Sequence, residues 1–189
     1  MANLAALAEK AGHSTFLPQR DGLEMLAMRL MTVPAAGTVL AAPGSKLMRK
    51  AVFALDVHEL LDRCDAVVVN INGRVPDEGA MVEAALAFAA GLPVVAYKQD
   101  VRAPFRGMDN PMLSGVTGWN VVSTLQDLPD AIHAALVRAP SRQQVRLSDE
   151  LREALAFGRK VKALLDQFPA LLKSDADAAL VEKLSGLRP

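Results

Sequence analysis

The sequence has a single cysteine, few aromatic residues and no excess of either charge. Cys64 alone excludes an intramolecular disulfide framework and fits a reducing compartment. Basic and acidic residues number 21 each, so no net charge attracts nucleic acid or an anionic membrane. No apolar run approaches the roughly 20 residues of a membrane span, and no signal peptide opens the chain. We therefore expect a soluble cytoplasmic protein with neither nucleic acid nor membrane as a partner.

Length and apolar composition favour one α/β domain. At 189 residues the chain can bury a sizeable core and still carry a helical tail. Hydrophobic residues make up 51% of the chain but aromatic residues only 4%, so alanine, leucine and valine must build the interior. Such small side chains are typical of the contacts between helices and sheet in α/β enzymes.

Hydrophobic periodicity and turn residues predict the order of the elements. In the first part of the chain we expect a helix over 2–11 ended by Gly12, a strand over 14–18 stopped by Pro18, a helix over 23–32, a loop over 33–46 and a helix over 47–63. The next part alternates strands over 66–71, 93–97 and 120–123 with helices over 78–90 and 128–138. This alternation predicts a flavodoxin-like or Rossmann-like α/β fold, in which helices cover a doubly wound parallel sheet.

The last part of the chain differs in character from the rest. It is charged, has no predicted strand, and shows helical periodicity over 148–166 and 175–184. We expect an α/β domain over residues 1–140 and a C-terminal helical extension over 141–189, which packs on that domain or contacts another subunit.

Carboxylates stand near a polar loop that follows a predicted strand. In open α/β sheets, ligands bind beyond the carboxyl ends of the strands. Glu83 interrupts an apolar helical segment, where it either faces solvent or acts as a nucleophile towards a sugar. Asp77 falls at an expected helix N-cap, a structural role in its own right. Asp65 begins a strand, and the three histidines are scattered without metal-ligand spacing.

Three segments in order along the chain resemble one protein family. They are FLPQRDGLE (16–24), the run from VFALDVHELL to AYKQDVR (52–102) and DNPMLSG (109–115). Together they resemble the nucleoside 2-deoxyribosyltransferase family over roughly residues 1–138. DEGAMVE (77–83) is the most specific part, because it joins a strand end, an aspartate, a glycine and a glutamate at the family's spacing.

The resemblance implies a double displacement in nucleotide salvage, without a metal or an organic cofactor. Glu83 matches the nucleophile that attacks C1′ of a 2′-deoxynucleoside, and a second free nucleobase then attacks the deoxyribosyl–enzyme intermediate. Asp77 matches the carboxylate that handles the base or its proton, and Asp65 a second acid in the same pocket. The implied substrate-binding residues are Gln19, Asp21, Asn72, Gly79, Asn110 and Met112. Of these, Asn110 and Met112 resemble a loop lent by a neighbouring subunit, which implies a homodimer or a higher homo-oligomer.

One family feature has no counterpart at the start of the chain. Members begin with a strand that carries a tyrosine and a proline, whereas here the chain starts at the following helix. Tyr97 lies on another predicted strand, and TVLAAP (38–43) comes after the strand predicted at 14–18. We expect the natural start to lie upstream of Met1; the alternative is a sheet that is completed differently.

Two other functions compete with base exchange. An N-glycoside hydrolase of nucleosides or nucleotides would use the same Glu83, with water as the acceptor. A non-catalytic nucleoside-binding module would bind without exchange. The sequence indicates no preference between purine and pyrimidine bases.

Overall fold

The computed structural model describes residues 2–32, 43–73, 75–102, 108–139, 146–172 and 177–187. The helices are α1 (Ala2–Lys10), α2 (Pro18–Asp21), α3 (Glu24–Thr32), α4 (Pro43–His58), α5 (Glu78–Ala89), α6 (Pro111–Val116), α7 (Leu128–Arg138), α8 (Asp149–Gln167) and α9 (Asp177–Gly186). The strands are β1 (Val67–Asn70), β2 (Val94–Tyr97) and β3 (Val121–Val122). A π-helical turn, Glu59–Arg63, continues α4, and a 3₁₀ turn, Pro169–Leu172, follows α8.

The contacts divide the chain into two compact units. The first comprises residues 1–15 and 63–146, and the second comprises residues 16–62 and 147–189. These units differ from the predicted α/β domain over residues 1–140 and helical extension over 141–189. That predicted boundary remains a prediction.

The first unit contains a parallel three-stranded sheet in the order β1-β2-β3. Val67 stands opposite Val94, and Ala96 stands opposite Val121. β2 is buried along its whole length, as expected of an inner strand flanked by two others. The predicted α/β fold with a parallel sheet is thereby confirmed, and it is consistent with a flavodoxin-like architecture.

Helices pack on the sheet because alternate residues of a strand face opposite sides. Val95 and Tyr97 form a core with α1 and α7, which contribute Leu4 and Leu128 among others. α5 contacts both β1 and β2, and its Ala84 is fully buried. The connection from β1 through α5 to β2 is a βαβ unit, which brings the start of α5 to the carboxyl end of β1.

The second unit is helical and is centred on α4 and α8. Its core contains Leu23, Met48, Leu55, Val161 and Leu184. The two central helices approach closely at Gly158, where an added Cβ would lie 2.0 Å from the carbonyl oxygen of Ala54. Arg159 donates two hydrogen bonds to Asp62, at 2.6 and 3.0 Å, which also joins α8 to the end of α4.

Two predicted elements differ from the observed ones. The strand expected over 14–18 is wrong: no regular structure covers 13–17, and Pro18 begins α2 instead of ending a strand. Proline suits the first turn of a helix because its missing N–H needs no partner there. The loop expected over 33–46 falls largely outside the described residues, but its last part, from Pro43, belongs to α4.

The remaining predicted helices and strands are present, with ends shifted by at most a few residues. No helix in the part of the chain that the structure describes is long and apolar enough to cross a membrane.

Candidate functional site

Asp77 lies at the start of α5, beyond the carboxyl end of β1. Its backbone is extended, and its Oδ1 accepts a hydrogen bond of 2.9 Å from the N–H of Ala80, so it is the N-cap of the helix. The side chain is exposed, and its second oxygen can accept from a ligand. The amino-terminal end of the helix dipole favours a negative charge at this position.

Glu83 lies on the same helix, six positions after Asp77, and is half-buried. A rise of 1.5 Å per residue separates the two α-carbons by about 9 Å along the helix axis. Helical side chains lean towards the amino terminus, so Glu83 leans towards the end of α5 at which Asp77 lies. The neighbouring positions of α5 are apolar, with Ala84 and Ala87 buried. The two carboxylates therefore belong to one rigid element at the sheet edge.

Gly79 keeps space around the helix cap. An added Cβ would lie 3.2 Å from Oδ1 of Asp77, which is closer than ordinary contact. A larger residue at this position would press on the capping carboxylate.

The loops after β1 and β2 are joined through Asn72 and Asp100. Oδ1 of Asn72 accepts hydrogen bonds from the backbone N–H groups of Gln99 at 2.7 Å and of Asp100 at 2.8 Å. In return, Oδ2 of Asp100 accepts a hydrogen bond of 3.2 Å from the N–H of Gly73. Asn72 thus supports the two loops that border the site.

Both basic side chains described on the loop after β2 are paired with carboxylates. Arg102 forms an ion pair with Asp100, and its guanidinium and backbone N–H hold the pKa of that carboxyl well below its usual range. Lys98 forms an ion pair with Asp109, and both of these side chains are largely buried. The loop is therefore held by charges of opposite sign.

The turn before α6 presents Asn110 and Met112. Oδ1 of Asn110 accepts a hydrogen bond of 3.0 Å from the N–H of Met112, so Asn110 is the N-cap of α6. The Met112 side chain is 76% exposed. The turn is therefore capped by Asn110 and exposes an apolar side chain.

The family model described as "Nucleoside 2-deoxyribosyltransferase" matches residues 1–129. The chain belongs to the nucleoside 2-deoxyribosyltransferase family. The match includes all nine residues predicted from the sequence to form the site. Membership implies an enzyme of the transferase class whose substrates are nucleosides and nucleobases. No curated protein matches the chain.

Asp65 lies at the other end of β1 from Asp77. It is exposed and lies in a bend before β1, at the amino end of the strand. Asp77 follows the carboxyl end of the same strand, and the intervening residues 65–70 span about 16 Å in extended form. A role for Asp65 in the same pocket remains a prediction.

Gln19 and Asp21 belong to the second unit, on the short helix α2. Gln19 is exposed. Asp21 accepts a hydrogen bond of 2.8 Å from the N–H of Leu17. Burial works to raise the pKa of Asp21, but hydrogen bonds from Arg20 and Leu17 outweigh it and lower the value. Their contact with the nucleobase remains a prediction.

The sequence interpretation missed Asp109. In the sequence Lys98 and Arg102 flank Asp100, and this spacing suggests that both pair with that carboxylate. The partner of Lys98 is eleven positions away, and nothing in the local pattern indicates it.

No cluster of three or more histidine, cysteine, aspartate or glutamate side chains that could hold a metal ion occurs among the described residues.

Proposed function

We propose that this protein exchanges the nucleobase of 2′-deoxynucleosides, with Glu83 as the nucleophile. The observation that carries this proposal is the position of Glu83 on α5. It is half-buried, it follows the capping Asp77, and both lie beyond the carboxyl end of β1 in the region matched by the family. A parallel sheet presents its ligands at this edge.

The reaction is a double displacement. The Glu83 carboxylate attacks C1′, the glycosidic C1′–N bond breaks, and its electron pair stays on the departing base, which takes up a proton. The result is a deoxyribosyl ester of Glu83. A nitrogen of a second base then attacks C1′, loses its proton and releases the carboxylate. Asp77 is exposed at the helix start, and we assign to it the proton exchange with the base.

Among the residues that the structure describes after β2, the basic side chains are paired, which favours a nucleoside over a 5′-phosphorylated nucleotide. A phosphate needs uncompensated positive charge or free N–H groups. Lys98 and Arg102 are each matched by a carboxylate. The amide of Asn110 is suited to an uncharged 5′-hydroxyl, which it can contact through its N–H₂ group while Oδ1 caps α6.

The exposed turn that carries Met112 supports a shared site between subunits. The flexible side chain of Met112 is exposed and can pack into an apolar surface of a partner. The backbone of the turn is already held by its cap, so little backbone freedom would be lost. We propose a homo-oligomer in which this turn closes a neighbouring site. A role in nucleotide salvage and a cytoplasmic location are part of the same proposal.

The test is incubation with one deoxynucleoside and a different free base, followed by separation of the products. A new deoxynucleoside supports the transferase. Free base with deoxyribose would mean a hydrolase, and substrate binding without any product would mean a binding module.

Variants then test the nucleophile. We expect Glu83→Ala to lower the exchange rate about 10³-fold or more, since the covalent route is lost. Glu78→Gln, in the exposed first turn of the same helix, is the matched control and should exchange at the wild-type rate. Mass spectrometry of quenched wild-type protein should reveal one added deoxyribosyl group, absent from Glu83→Ala. Full exchange by Glu83→Ala would refute the assignment.

A further inference from the structure

The ion pair between Lys98 and Asp109 is largely buried. The Lys98 side chain is 10% exposed and that of Asp109 is 17% exposed. Pairs such as Arg102–Asp100 and Lys162–Asp166 each have a member that is more than half exposed. Exposed pairs contribute little because water screens them, whereas breaking a largely buried pair leaves a poorly solvated charge.

Each member of the pair is attached to a different part of the first unit. Lys98 directly follows β2, and its backbone N–H donates a 2.8 Å hydrogen bond to the carbonyl of Val122, so it is fixed on the sheet. Asp109 directly precedes Asn110, the N-cap of α6. The ion pair therefore fastens the Asn110 turn to the end of the sheet.

We propose that Lys98 is a positioning residue that holds the Asn110–Met112 turn in its substrate-binding position. The proposal rests on the function proposed above. Without the ammonium group, the Asp109 carboxylate is left unpaired in a largely buried place and moves towards water. Asn110 is its chain neighbour and moves with it. Binding of the deoxynucleoside is then weakened, while the nucleophile on α5 is left in place.

The test uses steady-state exchange kinetics of four variants in the full chain. Lys98→Met keeps the apolar stem and removes the charge, and we expect KM for the deoxynucleoside to rise about tenfold or more with kcat changed less than threefold. Lys98→Arg retains a cation and should stay closer to wild type. Lys162→Met applies the same substitution to an exposed pair on α8 and should leave KM unchanged.

The double variant Lys98→Met/Asp109→Asn separates charge from shape. It removes both charges, so no carboxylate is left to move towards water, and KM should return most of the way to wild type. A double variant that is as impaired as Lys98→Met, or a Lys98→Met variant with unchanged KM, would overturn the proposal. Far-UV circular dichroism establishes that each variant is folded.

Amide hydrogen–deuterium exchange tests the positioning role of Lys98 independently of the proposed base transfer. The amide of Met112 donates to Asn110 Oδ1, and that of Leu113 donates to the Asn110 carbonyl at 2.9 Å. Both should exchange about ten times faster in Lys98→Met than in Lys162→Met. If wild-type protein performs no exchange of bases, the proposed function fails while these amides still report on the turn. Unchanged amide exchange would refute the positioning role by itself.

Discussion

The close approach of α4 and α8 at Gly158 leads to a stability prediction. In the second unit, α4 and α8 meet at Gly158, where an added Cβ would lie 2.0 Å from the Ala54 carbonyl oxygen and 2.7 Å from the His58 Cβ. Ordinary contact begins at 3.4 Å. Because one of the opposing atoms is backbone, no rotation of a side chain can relieve the clash, and Gly158→Ala must push the helices apart.

The magnitude follows from two opposing effects. Overpacking of a tight core costs up to about 3 kcal/mol. Alanine is a better helix former than glycine by about 1 kcal/mol. We therefore expect Gly158→Ala to lower the free energy of unfolding by about 2 kcal/mol. For a chain of this size that corresponds to a fall in Tm of roughly 4–8 °C.

The assay is urea and thermal unfolding followed by circular dichroism at 222 nm. The matched control is Gly186→Ala on α9, in the same unit, where an added Cβ meets nothing within 4 Å. This control should be unchanged or slightly more stable. If Gly158→Ala is as stable as Gly186→Ala, the two helices do not approach in this way and the argument from close packing is refuted.

Three further predictions concern a strained residue, an ion pair and a cap. Trp119 has φ of 62°, a left-handed conformation that favours glycine, and its side chain is 73% exposed. Trp119→Gly should therefore raise the free energy of unfolding in urea by about 0.5–1 kcal/mol. A lower free energy of unfolding would mean that contacts of the indole stabilise the fold. Hydrogen bonds from Arg159 and then His58 lower the pKa of Asp62, so its stabilisation is complete above about pH 4 and disappears as the pH falls through the lower folded value. The Tm advantage of wild type over Asp62→Asn should therefore shrink as the pH falls below about 4, and a constant difference would contradict the linkage. Asp77→Asn keeps a good capping oxygen but not the charge, so exchange should slow with Tm unchanged, whereas a large fall in Tm would indicate a different cap.

The elements that the sequence predicted well are those determined by local pattern. The run that contains β1 is β-branched and bounded by polar residues, and the α7 helix begins at Leu128 and ends at Arg138 as its periodicity indicates. The start of α2 was misread because a proline can end a strand or begin a helix. At the start of α2 the N–H of Leu17 donates a hydrogen bond to the Asp21 side chain. A hydropathy pattern does not predict such a hydrogen bond.

The sequence predicts the relative positions of Asp77 and Glu83, which one helix carries, but it does not predict contacts between distant segments. Asp77 and Glu83 share α5, so their relation follows from helix geometry. The pairing of Lys98 with Asp109 and the double acceptance by Asn72 join segments 11 and 27 or more positions apart. Such contacts depend on how the loops close, which no spacing rule supplies. The position of Asp65 at the amino end of β1, by contrast, follows directly from its place in the sequence before that strand.

The hydrogen bonds and ion pairs of the polar residues at the sheet edge indicate which of them could act on a substrate. The amide oxygen of Asn72 accepts hydrogen bonds from two backbone N–H groups, and Asp100 forms an ion pair with Arg102. Residues engaged in this way hold loops in place and are poor candidates for attack on a sugar. Glu83, which we propose as the nucleophile, is half-buried on α5, and its neighbours along the helix are apolar.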